Sequence, residues 1–259
     1  MIIIHRTPLL ENIRHKSNIG KTFYKDVFTI GSIWHTNDGK CTILKNDDYM
    51  NLTIQFIDTG YEASVRVSDL MQGAVKDYLK PSVFGIGILG KDFKSIKRNN
   101  KDIFKKVYTE WQDILRRCYY PQSSAYKIYG AKGVSVDARW LTFTNFFYDI
   151  QKLDNWDKSL FLNSLIFLDK DKYQPGIPVS QKVYSRDTCC WLTREENNKL
   201  MDSEALKREF IAIYPDGHEE YCKGIREFAN KHNMNFTNIC ACLKGTLKSY
   251  HKFKFKNIE

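Results

Sequence analysis

The sequence predicts an α+β protein built from three modules, and three observations lead to this prediction. Short β-type runs separated by Asn, Asp and Gly turns fill the first part of the chain. An apolar three-and-four spacing, typical of amphipathic helices, follows in the middle, and the last fifty residues combine a hairpin with two short helices. The predicted modules are a small antiparallel β module at 1–90, a central domain at 91–204 and a C-terminal module at 205–259.

The first module reads as a small antiparallel barrel or curled sheet. Its predicted strands are residues 27–30, 41–44, 52–57 and 61–67. Its predicted turns are residues 36–39, 46–48 and 58–60. Turn residues at this spacing favour strands that follow one another in hairpins.

The central part begins with a charged stretch and continues as a helix. Residues 91–101 carry five cations against one acid, which predicts a basic hinge. Apolar residues recur at helical spacing over 102–118, and Pro121 ends that helix. A second, aromatic-lined helix is expected over 140–150.

Two strands are expected within residues 160–192, on either side of a loop rich in Pro and Gly. Thr193 then has the position of a helix N-cap, with Glu196 three residues further along. This spacing is that of a capping box, so a short helix is predicted to begin there.

Composition narrows the class of protein. Hydrophobic residues make up 42% of the 259 residues, which excludes a disordered chain. No apolar run approaches the ~20 residues needed to cross a bilayer, and the N-terminus lacks a signal-peptide core. With seven cysteines and no secretory signal, a disulfide scaffold is not expected. We therefore expect a soluble, intracellular protein, and its net charge of +10 and pI of about 9.1 favour an anionic partner.

Two further motifs are interpreted as structural. Gly85, Gly87 and Gly90 match GxGxxG, but no βαβ unit surrounds them, so a dinucleotide site is not predicted. Cys240 and Cys242 lack the two-to-four-residue gaps of zinc ligand pairs and fall on opposite sides of a helix. They are expected to be buried thiols.

The C-terminal module carries the clearest signal for a partner. Six lysines and no acid stand between Lys231 and Lys256, on a hairpin followed by two short helices joined by a turn. That layout is typical of a helix-turn-helix, and lysines that neutralise phosphates supply non-specific affinity for nucleic acid. The candidate DNA-binding residues are Asn235, Asn238, Lys244, Thr246, Lys248, His251 and Lys252. The alternative interpretation of the lysines is a solvated basic tail.

Residues 210–255 resemble the DNA-binding repeat of intron-encoded nucleases, an accessory helix-turn-helix found at the ends of homing endonucleases. The resemblance rests on the hairpin, on Gly224-Ile-Arg-Glu-Phe-Ala229, on Ile239-Cys-Ala-Cys-Leu-Lys-Gly245 and on the closing Lys252-Phe-Lys-Phe255. It covers about one fifth of the chain and implies that this module contacts double-stranded DNA.

The centre is similar to a phage protein family of HNH or homing endonucleases, over roughly residues 20–200. The matching segments, in order, are Trp111-Gln-Asp-Ile-Leu-Arg-Arg-Cys-Tyr119, Trp140 with Phe143 and Phe146, Leu168-Asp-Lys-Asp171, Tyr184-Ser-Arg-Asp-Thr-Cys189 and Glu196-Asn-Asn198. Such a site combines a hairpin and a helix to hold one divalent metal beside a general base that activates water. The hairpin would be residues 166–171 plus 183–192.

The resemblance implies site residues but also a departure. Asp169, Asp171 and Asn198 become the candidate ligands of a divalent metal, with Mg²⁺ the expected ion, and Asp169 with Lys170 the candidate catalytic pair. Lys170 stands where the family has its histidine base, and no histidine lies between His35 and His218. A lysine accepts a proton only after losing its own, whereas the two flanking carboxylates stabilise its charged form.

Three functions remain open from the sequence. The first is a phage-type, metal-dependent DNA endonuclease with double-stranded DNA as partner. The second, favoured by the missing histidine, is a catalytically inactive nuclease-like protein that acts as a regulator or as an inhibitor of a host defence protein. The third is a protein–protein adaptor. No membrane partner is expected, and the location would be the host cytoplasm if a phage encodes the protein.

Overall fold

The computed structural model has the predicted α+β class and describes residues 27–46, 51–206 and 208–258. Its strands are β1 Ile33–Thr36, β2 Gly39–Lys45, β3 Asn51–Phe56, β4 Glu62–Arg66, β5 Ser135–Val136, β6 Ile166–Asp169, β7 Val183–Tyr184, β8 Cys190–Thr193, β9 Glu209–Ile213, β10 Glu219–Lys223 and β11 Lys254–Asn257. Its helices are α1 Val67–Met71, α2 Phe93–Asn99, α3 Lys101–Tyr119, α4 Phe143–Ile150, α5 Lys158–Leu162, α6 Arg194–Leu206, α7 Ile225–Lys231 and α8 Phe236–Leu243.

The chain divides into two compact units. Unit 1 comprises Met1–Leu153 and Gln174–Thr188, and unit 2 comprises Asp154–Tyr173 and Cys189–Glu259. This grouping joins parts of the central and C-terminal modules that the sequence suggested. The division into three modules stays a prediction.

Unit 1 begins with the predicted antiparallel sheet, in the order β1-β2-β3-β4. Strand β3 alternates in burial, with Leu52, Ile54 and Phe56 in the core and polar residues between them. Because side chains of a strand point to opposite faces in turn, this alternation makes one face of the sheet apolar. Helix α1 follows β4 directly and adds Leu70 to the same core.

Residues 27–30 do not form the strand that was predicted for them. Phe28 instead stacks on Trp34 of β1, with 4.8 Å between the ring centroids. Gly31 then turns the chain with a φ of +85°, a conformation that glycine adopts readily. The first 26 residues and the predicted turn residues Asp47 and Asp48 lie outside the described residues.

The predicted basic hinge is a helix, α2, over Phe93–Asn99. Ile96 anchors it in the core at 2% exposure, and Lys94, Lys97 and Arg98 occupy its exposed side at i, i+3 and i+4 spacing. Asn100 leaves helical geometry, and α3 begins at the next residue. The hinge was predicted because the stretch is mostly charged, but the ring of Phe93 packs on Phe104 and Phe143 at 5.4 and 5.5 Å and, with Ile96, anchors the helix.

The aromatic centre of unit 1 confirms helix α3 and shortens the second predicted helix. Residues 138–141 form a 3-10 turn, Thr142 is extended, and α4 begins only at Phe143. The Trp111 indole donates a hydrogen bond of 2.8 Å to the carbonyl of Trp140. Phe143 packs edge-on against Trp111 at 5.4 Å, so the break at Thr142 brings the two tryptophans and Phe143 into one core.

The strand predicted within the hairpin at 183–192 is divided between two sheets. Strand β7 pairs in parallel with β5, and the guanidinium of Arg117 donates to the hydroxyl of Tyr184 at 3.2 Å. In unit 2, β6 pairs instead with β8, antiparallel, with Asp169 opposite Cys190. The prediction of one hairpin from 166–171 and 183–192 is therefore wrong at 183–184, because β7 pairs with β5, which is distant in sequence.

The C-terminal part of unit 2 contains the predicted hairpin and both predicted helices, and one strand more. Strand β11 pairs with β9, so the sheet has the order β10-β9-β11. Residues 232–235 separate α7 from α8. The core between the sheet and the helices contains Phe210, Phe228, Ile239, Leu243 and Phe255.

A buried carboxylate stabilises the end of α4 in unit 1. Asp149 is 2% exposed and accepts hydrogen bonds from Arg139 at 2.7 and 3.1 Å and from the indole of Trp140 at 3.0 Å. Burial alone would raise the pKa of Asp149, but the bonds from Arg139 and Trp140 outweigh it and lower that pKa below its usual value.

We expect Asp149→Asn to lower the free energy of unfolding by about 1–3 kcal/mol at neutral pH, because charge-assisted hydrogen bonds are lost. The lowered pKa means that the charged form favours the folded state. The difference between wild type and variant should therefore be complete above the usual carboxyl pKa and shrink as pH falls through the lowered one. Urea unfolding at several pH values measures it, with exposed Asp187→Asn as control. A difference that grows in acid would contradict this interpretation.

Candidate functional sites

Strands β6 and β8 and helix α6 form a ββα unit that places the predicted nuclease residues. Asp169 ends β6, and β8 returns beside it and passes into α6 at Arg194 without a loop. The start of α6 is the predicted capping box: Thr193 N donates to Glu196 Oε2 at 2.8 Å, and Glu196 N donates to Thr193 Oγ1 at 3.2 Å. The bonds from the backbone and hydroxyl of Thr193 lower the pKa of Glu196.

Asp169 is buried, and its carboxylate holds the loop that follows β6. Oδ1 accepts hydrogen bonds from the backbone N–H groups of Asp171 at 2.9 Å and Lys172 at 2.8 Å. Two amides without this acceptor would be unsatisfied polar groups at the end of the strand. The predicted catalytic residue therefore has a structural task as well.

Lys170 and Asp171 are paired with each other. The ammonium of Lys170 lies 2.9 Å from both carboxylate oxygens of Asp171. The side chain of Lys170 is only 8% exposed, whereas that of Asp171 is 43% exposed. The ammonium of Lys170 is thus directed to the carboxylate of Asp171, and this pairing opposes the role of Lys170 as a general base.

Asn198 lies in the second turn of α6 and is exposed. Its neighbour Asn197 is partly buried. Both carboxamides belong to the helix that packs on β6 and β8.

One group of charges at this site was missed at the sequence level. Asp169, Asp154 and Glu196 each act electrostatically on the buried thiol of Cys190, and Lys172 opposes them. Burial is the main cause that raises the pKa of Cys190 to about 11, so its thiol stays protonated. Asp154 also accepts a 2.6 Å bond from the hydroxyl of Tyr173. The pairing of β6 with β8 brings these residues together, and no local motif announces it.

The donor atoms suit a hard divalent cation, but their arrangement does not. Mg²⁺ prefers carboxylate, carboxamide and water oxygens, which Asp169, Asp171 and Asn198 offer. However, Lys170 occupies both oxygens of Asp171, and two amides occupy one oxygen of Asp169. Within the described ranges, no three His, Cys, Asp or Glu side chains come together to hold a metal ion. The site as folded therefore does not fit the ion that the sequence resemblance implies.

The start of helix α8 contains both predicted base-reading asparagines. Asn235 is the N-cap residue, and its carboxamide oxygen accepts a 2.8 Å bond from Thr237 N. Its NH₂ group is left to donate. Asn238 lies one turn further, partly exposed. The carboxamide oxygen of Asn235 is therefore used by the helix cap, whereas the described residues give the carboxamide of Asn238 no such role.

The lysines of the C-terminal part fall into two groups. Lys223, Lys231 and Lys256 make ion pairs with Glu209, Glu220 and Glu219, at 3.6, 3.2 and 2.8 Å. The other lysines are exposed and have no carboxylate partner among the residues the structure describes: Lys244, Lys248, Lys252 and Lys254. Their charge is available to an external anion.

Thr246 and His251 differ in what remains available. The hydroxyl of Thr246 donates to the carbonyl of Ala241 at 3.0 Å and so closes the C-terminal end of α8. The imidazole of His251 is exposed and packs on the ring of Tyr250 at 4.3 Å. Thr246 positions the chain after α8, and His251 remains free to contact a ligand.

Unit 1 presents a second basic surface, on α2 and the start of α3. Its exposed cations are Lys94, Lys97, Arg98, Lys101 and Lys105. Lys94 also lies 5.2 Å from the centroid of the Tyr78 ring, a cation–π distance. The helix geometry thus concentrates charges that the sequence had placed in a hinge.

The comparisons with known proteins give one finding. No family model matches the chain, and no curated protein matches it. A solved structure described as "DNA binding and cleavage by the HNH homing endonuclease I-HmuI" is similar over 40% of this chain and 61% of that chain, with 14% identity and a TM-score of 0.20. The similarity thus spans less than two thirds of that chain, and at this score it does not establish a common fold. Across the described ranges, no helix is both long and apolar enough to span a bilayer.

The contribution of the acceptor oxygen of Asp169 can be separated from that of its charge by substitution. We expect Asp169→Ala to lower the free energy of unfolding by about 1–3 kcal/mol, because the amides of Asp171 and Lys172 lose their acceptor. Asp169→Asn keeps a carbonyl oxygen at that position and should cost clearly less. Urea denaturation of the three proteins measures this. Equal losses in both variants would show that the charge, and not the acceptor, stabilises the loop.

Proposed function

We propose that this chain binds double-stranded DNA through its C-terminal helix-turn-helix, formed by α7, residues 232–235 and α8, and that its ββα unit is a nuclease-type scaffold without hydrolytic activity. The observation that carries the DNA-binding part is the set of exposed lysines around the end of α8 that have no carboxylate partner within the described ranges. Phosphate contacts by such lysines fix a protein on the duplex, while base contacts specify the sequence.

Helix α8 supplies the elements of recognition in this proposal. Asn238 on its first turns would read a base edge in the major groove, and the NH₂ group of Asn235 would donate beside it. Lys244 and Lys248, at and after its C-terminal end, would bind backbone phosphates. The basic surface of α2 and α3 offers further phosphate contacts from unit 1.

The inactive scaffold is supported by the pairing of Lys170 with Asp171. The residue in place of the histidine base is a buried ammonium, and it occupies one of the proposed metal ligands. The order β6, β8, α6, with Asp169 and Asn198 on adjoining elements, favours metal-dependent phosphodiester hydrolysis as the second candidate. A role against a host defence protein, or as an adaptor, stays a prediction from the sequence.

DNA binding is tested by its dependence on salt. We expect wild-type affinity for a duplex, followed by fluorescence anisotropy, to fall steeply with salt, because lysines release counterions from the phosphates. Lys244→Gln combined with Lys248→Gln should reduce the slope of log K against log salt by about two. The matched control is Lys223→Gln with Lys256→Gln, which removes the same charge from lysines already paired with glutamates. Affinity that does not depend on salt, or that changes equally in both double variants, would exclude DNA as the partner.

Hydrolysis is tested with plasmid DNA in Mg²⁺ and in Mn²⁺. We expect the wild-type protein to leave the plasmid intact under conditions where it binds, because Lys170 holds the carboxylate of Asp171. Asp169→Asn and Asn198→Ala are assayed beside it. Cleavage by the wild type that both variants abolish would overturn the inactive scaffold and establish the nuclease. Cleavage that persists in both variants indicates a contaminating nuclease, which repurification of the wild type resolves.

A further inference from the structure

A tight turn after α8 holds two residues in an unfavourable backbone conformation. His251 and Lys252 have φ values of +50° and +68°, and neither is glycine. Tyr250 and Phe253 close the turn by exchanging two backbone hydrogen bonds of 2.9 Å. A two-residue turn with positive φ at both positions is of type I′, for which Asn-Gly is strongly preferred. The sequence His-Lys therefore destabilises this turn relative to the preferred one.

The turn is held rigidly beside the start of α8. The ring of Phe253 packs on Tyr214, with 4.7 Å between centroids. The hydroxyl of Tyr250 accepts a 3.4 Å bond from the backbone N–H of Asn235, the N-cap residue of α8. Tyr250 thereby links the turn to the N-cap of the helix that contains the candidate base-reading residues, and the side chains of His251 and Lys252 are exposed on that turn.

We propose that the 251–252 turn is a second DNA contact, in which the Lys252 ammonium and the His251 imidazole bind a backbone phosphate flanking the groove that receives α8. This inference rests on the proposed DNA binding. It identifies the side chains that would fix the position of α8 along the groove. Strained residues persist where the surrounding structure holds them, and they concentrate at sites of function. Both side chains are exposed: His251 contacts only the ring of Tyr250 among the described residues, and those residues offer Lys252 no carboxylate.

The test separates the backbone from the charge. His251→Asn combined with Lys252→Gly introduces the preferred Asn-Gly sequence into the turn and removes the side chains of the proposed contact. We expect its thermal midpoint to rise by several degrees, while duplex affinity falls about tenfold and the salt slope falls by about one. Lys252→Gln keeps a left-handed non-glycine residue, so it should lose the same salt slope without gaining stability. Lys127→Gln, an exposed lysine of unit 1, is the control for charge alone and should leave the slope unchanged.

Each outcome decides the inference. Wild-type affinity in both turn variants would overturn the contact while leaving DNA binding by α8 intact. A double variant that is less stable than the wild type would overturn the strain argument. A wild-type protein that binds no duplex would refute the proposed function and this contact together, and the wild-type titration alone reveals that case.

Discussion

The carboxylate of Asp169 is the interaction on which the candidate catalytic unit depends. It ends strand β6, accepts two backbone amides of the following loop and lies opposite Cys190, from which β8 runs directly into α6. Strand β8 therefore connects the end of β6 with the start of the helix. A carboxylate used in this way has one oxygen left for chemistry, so the fold and a metal ion would compete for the same group.

The structure, unlike the sequence, distinguishes lysines that are paired with carboxylates from lysines that are not. Along the sequence, six lysines follow one another without an acid, and all look equivalent. In the fold, Lys231 and Lys256 meet glutamates that the hairpin brings across the sheet, whereas Lys244 and Lys248 meet none among the described residues. Because a surface ion pair leaves little field for a distant anion, the second group would supply most of the phosphate contacts in the proposed DNA complex.

Features with a local cause could be predicted from the sequence, and features with a distant cause could not. The spacing over 102–118 predicted α3, and Thr193 with Glu196 predicted the start of α6, because each depends on neighbours within one helical turn. The partner of β7 and the third strand of the C-terminal sheet depend on residues 40–50 positions away. Polar and apolar residues alternate over 252–256, but this alternation does not reveal that β11 pairs with β9.

The same distinction applies to the candidate site. Asp169, Lys170 and Asp171 could be found from their order in the chain, but their bonds decide what they do. The lysine pairs with the next residue, a contact that spacing permits without requiring. The acidic group around Cys190 arises only when β6 and β8 pair, since Asp154 and Glu196 are far from Asp169 in sequence. The order of residues along the chain therefore identified the candidates, whereas the contacts made in the fold, such as the pairing of β6 with β8, determine their chemical environment.

The candidate residues differ in whether the fold already uses their charged or polar group. Asp169, Asp171 and Thr246 are engaged by backbone or side-chain partners, so each contributes first to stability. Lys248 and Lys252 contribute nothing visible to the fold, and Lys252 even has an unfavourable backbone. The lysines of the proposed binding surface are therefore groups the fold does not need, whereas Asp169 and Asp171 are groups it does need, so a substitution at either carboxylate tests stability before it tests chemistry.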